Sequence, residues 1–298
     1  DPAGAALGTA EAAAVVSDDD RGPDFNGDGF ADIIVSDFFP GVEEVYLFFG
    51  GPELEPGGRV NSFTAADADV IFSGQGGGRE SFGSDVAAGD VNGDGFDDVI
   101  AVATIGPLGA AVAVAYVFAG SASPDAAVGA DQADATITGP VGAVRTANLA
   151  VADLDGDGFA DILVGGNDAA RLFAGSAAFT GGLELGPDDA HASFVDGAVA
   201  QFFPADAGDF NGDGGDDLVI STASNTQDGS AHLFLGGTDL TGQIGLAVAD
   251  ASFEVSGSSR VAGAGGADMN GDGLADVTLG SAGQLAFDGR VQVWFGRA

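Results

Sequence analysis

The 298 residues predict an all-β fold: a five-bladed β-propeller of four-stranded antiparallel blades, closed by pairing of its N- and C-terminal strands. Three observations carry that expectation. A nine-residue acidic loop recurs five times, at 24–32 (DFNGDGFAD), 90–98 (DVNGDGFDD), 153–161 (DLDGDGFAD), 209–217 (DFNGDGGDD) and 268–276 (DMNGDGLAD). The loop starts lie 66, 63, 56 and 59 residues apart, so one supersecondary unit repeats along the chain. A short apolar run rich in β-branched residues follows each loop, at 33–35 (IIV), 99–102 (VIAV), 162–164 (ILV), 218–220 (LVI) and 277–279 (VTL), which is a strand signal.

The elements of one repeat follow in a fixed order. Before the loop comes a strand of small residues, 86–89 (VAAG), 149–152 (LAVA), 205–208 (ADAG) and 262–265 (AGAG). Only such residues fit next to a crowded axis, so this strand is innermost. The run after the loop is the second strand. The third ends on an aromatic two residues before a glycine: Phe48/Gly50, Phe118/Gly120, Phe173/Gly175, Phe234/Gly236 and Trp294/Gly296. The fourth opens on 68–72 (ADVIF), 133–137 (ADATI), 190–194 (AHASF) and 249–253 (ADASF). Large side chains further out fill the wider gaps between blades. The repeats are 18–74, 75–139, 140–197, 198–257 and 258–298, in a single domain, and the last lacks its fourth strand. Residues 10–17 (AEAAAVVS) have the form of 249–256 (ADASFEVS) and are predicted to complete it. Alternatively, this N-terminal arm completes a neighbouring molecule's blade and so drives self-assembly. Residues 18–23 contain Pro23, which lacks a donor N–H, so blade one is expected to be irregular.

The loops are written for a hard cation. Oxygen side chains stand at loop positions 1, 3, 5 and 9, and the carbonyl at position 7 adds one more, which suits calcium with its six to eight oxygen ligands. The expected ligands are Asp24, Asn26, Asp28, Phe30 and Asp32 in the first loop and Asp90, Asn92, Asp94, Phe96 and Asp98 in the second. Asp153, Asp155, Asp157, Phe159 and Asp161 serve the third, and Asp209, Asn211, Asp213, Gly215 and Asp217 the fourth. Asp268, Asn270, Asp272, Leu274 and Asp276 complete the set, giving about five Ca²⁺ ions. Asp155 stands where the other loops have Asn, so the third site is expected to bind most tightly. An EF-hand is excluded, because position 12 is Val35, Ala101, Val164, Ile220 or Leu279 where that motif needs a bidentate Glu, and strands flank the loops.

Composition narrows the function classes. A net charge of −38, with eight Arg and no Lys, repels nucleic acid and anionic membranes, so neither is an expected partner. The longest apolar run, 110–119, is too short to span a bilayer. The absence of Cys removes disulfides and thiol chemistry. Weak calcium sites need extracellular calcium levels, so secretion or cell-surface display is expected. Arg79, Arg145 and Arg260 fall in the connections between blades, where they form either an anion pocket at the channel mouth or pairs with neighbouring acids. His191 and His232 occupy variable strand positions, the Glu residues are scattered, and no nucleophile elbow or phosphate loop is present. No catalytic residue is assigned.

The repeat resembles the FG-GAP repeat. Its clearest copy has Phe82-Gly83 eight residues before Asp90, then the acidic loop and a strand, while Gly280-Ser281-Ala282 approximates the family's Gly-Ala-Pro step. In later repeats Phe-Gly is replaced by Arg145-Thr146, Gln201-Phe202 and Arg260-Val261. The resemblance implies calcium-stabilised propellers used for binding and adhesion, as in integrin α-subunits and bacterial surface and secreted proteins. Integrin propellers have seven blades against five here, so no integrin partner is carried over. The expectation is a non-enzymatic extracellular module with Ca²⁺ stapling each blade and a protein or glycan ligand on the face opposite the loops. Two rivals stand beside it: a carbohydrate-active enzyme or lectin using the axial pocket, and a polymer subunit assembled by strand donation.

Overall fold

A computed structural model describes residues 14–15, 22–37, 42–51, 63–75, 80–106, 111–139, 148–197, 201–223, 229–237, 240–255, 261–281 and 290–297. Among them are twenty-two strands and four single-turn 3₁₀ segments, with no α-helix. The first sheet holds β1 (Ala14–Val15), β2 (Ile33–Asp37), β3 (Glu44–Phe48) and β4 (Val70–Ser73). The second holds β5 (Asp85–Gly89), β6 (Asp98–Ile105) and β7 (Val112–Phe118); β8 (Ala127–Gly129) leaves it for the first sheet, and β9 (Ala135–Thr138) completes it. The third is β10 (Asn148–Ala152), β11 (Asp161–Gly165), β12 (Ala170–Phe173) and, after β13 (Leu183–Leu185), β14 (Ala192–Val195). The fourth is β15 (Gln201–Gly208), β16 (Asp217–Ala223), β17 (Gly229–Phe234) and, after β18 (Gly242–Gly245), β19 (Ala251–Val255). The fifth has three described strands, β20 (Val261–Ala267), β21 (Asp276–Ser281) and β22 (Arg290–Trp294).

Within each sheet the strands run antiparallel in sequence order, as the four-stranded repeat predicts. The acidic loop joins the first and second strands every time, with register fixed on either side, for instance Gly89↔Asp98 and Val99↔Phe118. A feature that the sequence reading does not contain is a fifth strand. β8, β13 and β18 each reach back from the next repeat and pair in parallel with the outer strand of the preceding sheet, in the registers Ile71↔Ala127, Leu183↔Ala135 and Ala192↔Gly242. Each of these sheets is thereby laced to its successor, and its outer edge is covered.

The N-terminal arm departs from expectation. Ala14 pairs with Val35 and Val15 with Ile34, so β1 is the inner strand of the first sheet and not the fourth strand of the fifth. The reason is composition: a run of Ala and Val suits the inner position held elsewhere by β5, β10, β15 and β20, and Pro23 disqualifies the residues next to the loop. The rest of 10–17 lies outside the described residues. Among those described, no strand joins the N- and C-terminal sheets, and residues 14–15 pair with β2 in place of the predicted closure.

Four apolar cores follow one another, each between successive sheets. Ile34, Leu47 and Phe72 meet Phe82, Tyr116 and Phe118; Ile100 and Val117 meet Ile162 and Phe173. Leu163 and Phe194 meet Leu218 and Phe234, and Val219 and Leu233 meet Val277 and Trp294. In three of these junctions an aromatic of one sheet's outer strand packs on the aromatic closing the next sheet's third strand. Phe72–Phe118, Phe194–Phe234 and Phe253–Trp294 have ring centroids 4.7, 4.9 and 4.3 Å apart. Each buried aromatic contributes on the order of 2–3 kcal/mol from removing its surface from water, with about 1 kcal/mol more for ring geometry. The pattern of aromatic-x-Gly and Ala-Asp strands therefore dictates how sheets stack.

Candidate metal centre

All five acidic loops fold alike. Glycines at loop positions 4 and 6 adopt φ between +69° and +93°, a region costly for any side chain, and so turn the backbone back on itself. The amides this exposes are taken by the loop's own acids. In the second loop Asp90 accepts hydrogen bonds from Asp94 N at 3.1 Å and Gly95 N at 2.8 Å; Asn92 Oδ1 accepts Asp94 N at 2.9 Å, and Asp94 Oδ1 accepts Phe96 N at 3.0 Å. The same four bonds recur in the first, third, fourth and fifth loops. They hold the side chains of positions 1, 3 and 5 in one arrangement against the loop backbone in every repeat. Hydrogen bonding from loop amides also lowers the pKa of Asp213, chiefly through Gly215, and of Asp268, chiefly through Gly273.

The third loop alone has carboxylates at all of positions 1, 3 and 5. Asp153, Asp155 and Asp157 each bring a carboxylate oxygen within 4.8 Å of the others. In the first, fourth and fifth loops the position-3 Asn instead donates from Nδ2 to the position-5 acid, at 3.0, 2.8 and 3.0 Å. Three converging carboxylates repel one another without a cation, and an all-oxygen set fits a hard divalent ion. The residues present therefore suit calcium.

The position-9 acids do something the sequence reading does not assign. Asp98 accepts Val91 N at 3.0 Å on one oxygen, and Gly120 N at 2.9 Å with Asn92 Nδ2 at 3.1 Å on the other. Asp32, Asp161, Asp217 and Asp276 make the same two backbone bonds, to loop position 2 and to the glycine of the aromatic-x-Gly step. Each is a buried clasp between the loop and the third strand. Burial raises the pKa of Asp32 and Asp217 to about 6 and of Asp98 and Asp161 to about 7, with the loop acids adding to the effect. A carboxylate holding two or three N–H donors keeps a lone pair for a cation on the loop side.

Adjacent loops are joined by a repeating pair of main-chain bonds. The position-8 amide of each later loop donates to the position-1 carbonyl of the loop before it: Asp97 to Asp24, Ala160 to Asp90, Asp216 to Asp153 and Ala275 to Asp209. The residue after the aromatic-x-Gly step donates to the position-2 carbonyl: Ser121 to Phe25, Ser176 to Val91, Gly237 to Leu154 and Arg297 to Phe210. One face thus carries five metal-type loops in a continuous chain.

The remaining sequence assignments lie elsewhere. Arg79, Arg145 and Arg260 fall outside the described residues. His232 joins a hydroxyl network on the fourth sheet, 2.9 Å from Ser230 Oγ and 3.0 Å from Ser252 Oγ, and is remote in sequence from any loop acid. Asp69, Asp134 and Asp250, from the Ala-Asp steps, each accept the amide that follows the third-strand aromatic (Phe49, Ala119 and Leu235) at 2.8–3.0 Å. Their recurrence in the sequence is the signal that would have found them. Residues 82–115 and 146–179 match the family model of the FG-GAP repeat, and these stretches contain the second and third loops. No curated protein matches the chain.

Proposed function

We propose that this chain, which carries FG-GAP repeats at 82–115 and 146–179, is an extracellular calcium-binding module whose five sheets are propeller blades, used for binding or adhesion. The observation that carries the metal reading is that five loops, written by separate stretches of sequence, adopt one hydrogen-bonded geometry, and that in the third the carboxylates of Asp153, Asp155 and Asp157 come within 4.8 Å of one another. Bound calcium would supply the positive charge that offsets three or four acids per loop. Positions 1, 3 and 5 offer side-chain oxygens, position 7 a carbonyl, and the position-9 clasp ties any ion-induced ordering to the third strand. Because an ion binding only the folded state stabilises it by RT ln(1 + [Ca]/Kd), each saturated site is worth roughly 1–3 kcal/mol.

We read the module as non-enzymatic, with its protein or glycan ligand on the face opposite the loops, leaving the calcium face as scaffold. No helix among the described residues is long and apolar enough to cross a membrane. Secretion is favoured because acidic loops of this kind operate at extracellular calcium levels. The test is thermal unfolding with excess calcium and then with chelator, together with a count of metal bound to the native protein. Close to five ions and a large loss of stability on chelation support the reading; no bound calcium and no chelator effect overturn it.

A further inference from the structure

The fourth sheet carries a chain of hydrogen bonds that no acidic loop uses. It runs through Thr222 of β16, Ser230 and His232 of β17 and Ser252 of β19, whose side chains share one face. The register sets them side by side. Ile220↔His232 and Ser221↔Ala231 bring Thr222 level with Ser230, and His232↔Ser252 joins the next strand. Ala231 and Leu233, on the opposite face, pack towards the fifth sheet. The chain begins at Thr222, which is buried, and ends at Ser252, which is exposed.

The proton on each member is fixed by its neighbour. Thr222 Oγ1 accepts Ser230 N at 3.1 Å and donates its one proton to the Ser230 carbonyl at 3.1 Å. Ser230 Oγ, 2.9 Å from Thr222 Oγ1, is therefore the donor of that pair. With its proton so placed, it accepts from His232 Nε2 at 2.9 Å. A neutral imidazole carries one N–H, so Nδ1 is left as an acceptor, and Ser252 Oγ lies 3.0 Å from it. This order is that of an activated nucleophile: an exposed hydroxyl, a base within hydrogen-bond reach, and a third group that orients the base.

We propose that Ser252 is an acyl-acceptor site, esterified by neutral carboxylic esters with His232 as general base. Ser252 Oγ bonds to the carbonyl carbon of the ester, and its proton passes to His232 Nδ1. The bond from that carbon to the leaving oxygen breaks as the leaving oxygen takes the proton, so His232 ends neutral. The surroundings select the acyl group. Phe234, two residues from His232 on the same face, packs on Phe194 with ring centroids 4.9 Å apart, and Ile244 pairs with Phe194 on the third sheet. With a chain charge of −38, and Asp250 two residues before Ser252, an uncharged acyl donor is favoured over a phosphoryl donor. A single acylation of this kind needs no metal, so it stands apart from the calcium reading and leaves the module non-enzymatic.

The test is acetylation of the native chain by p-nitrophenyl acetate, read by intact mass and peptide mapping. The sequence has no lysine and no cysteine, which removes the commonest competing acceptors. One acetyl group on Ser252 is expected, formed at least about 100-fold more slowly in His232→Gln and not at all in Ser252→Ala. Thermal unfolding of both variants checks that they fold. The wild-type chain provides a readout that needs no variant: once unfolded in urea, its Ser252 should react no faster than the other serines. Four results overturn the proposal. These are no labelling of the native chain, labelling spread over its exposed serines, an unchanged rate at Ser252 in folded His232→Gln, and equal rates at Ser252 in the native and unfolded chains.

Discussion

Asp98→Ala separates the scaffold role of the loop from its metal role. The carboxylate is fully buried and holds Val91 N, Gly120 N and Asn92 Nδ2. Deleting it orphans three buried donors at roughly 1–3 kcal/mol each, part of which is returned because the charged form is already disfavoured by burial. A net local cost of about 2–4 kcal/mol follows. The assay is hydrogen exchange of the Ile100 and Val117 amides, deep in β6 and β7, on metal-stripped protein near pH 6. Opening of the second sheet should increase roughly 30- to 700-fold. Asp94→Ala is the matched comparison: Asp94 lies exposed on the loop and accepts one bond, from Phe96 N. Without metal it should change protection by under about threefold, and with calcium it should lose the ion's contribution at that loop. Unchanged protection in metal-free Asp98→Ala would refute the clasp.

Other perturbations probe neighbouring parts. Gly120→Ala puts a methyl 2.4 Å from the Asp97 carbonyl and 2.8 Å from that of Phe25, main chain of two different sheets, so it should cost about 1–3 kcal/mol in urea titration; Gly197→Ala, with nothing within 4 Å, should cost under about 0.5. Asp155→Asn removes one of three converging carboxylates and should weaken the third site about tenfold by calorimetry, with equal affinity counting against the charge argument. The raised pKa values of the clasp acids predict a pH dependence for metal-free protein. Asp32, Asp98, Asp161 and Asp217 ionise near 6–7 when folded against 3.8 when unfolded, so above pH 4 the unfolded chain binds fewer protons. Stability then falls as pH rises from about 4 to 7. A melting temperature that climbs over that range without metal would contradict the assigned burial.

The parts of this structure that repeat were readable from the sequence, because repetition turns a weak local signal into a strong one. The acidic loops, their glycines, the small inner strands and the aromatic-x-Gly step all appear where the sequence places them. What was not readable depends on tertiary placement. Asp98 and Asp94 are the same residue type four positions apart, and only burial beneath Gly120 makes one a clasp and the other a loop oxygen. The backward-reaching strands are short and mixed, AVG, LEL and GQIG, so their pairing is supplied by the neighbouring sheet's edge and not by their own pattern. The arm at 10–17 misled for a related reason: an Ala-rich run resembles a fourth strand by spacing but fits an inner one by size.

Position 8 of the loop shows how little sequence is needed to vary a repeated junction. Where it is Asp, in the second and fourth loops, the side chain accepts the position-1 amide of the preceding loop, Asp24 N at 2.7 Å and Asp153 N at 3.1 Å. Where it is Ala, at 160 and 275, position 8 contributes its main-chain bond and no side-chain one. The position-8 acid thus adds a charge-assisted bond between the first and second sheets and between the third and fourth, while between the second and third the Leu149 amide donates to Asp85 Oδ2 at 2.9 Å. Junctions that share a backbone design thus differ in the acid that supplements it, drawn from position 8 of the loop in two of them and from β5 in a third.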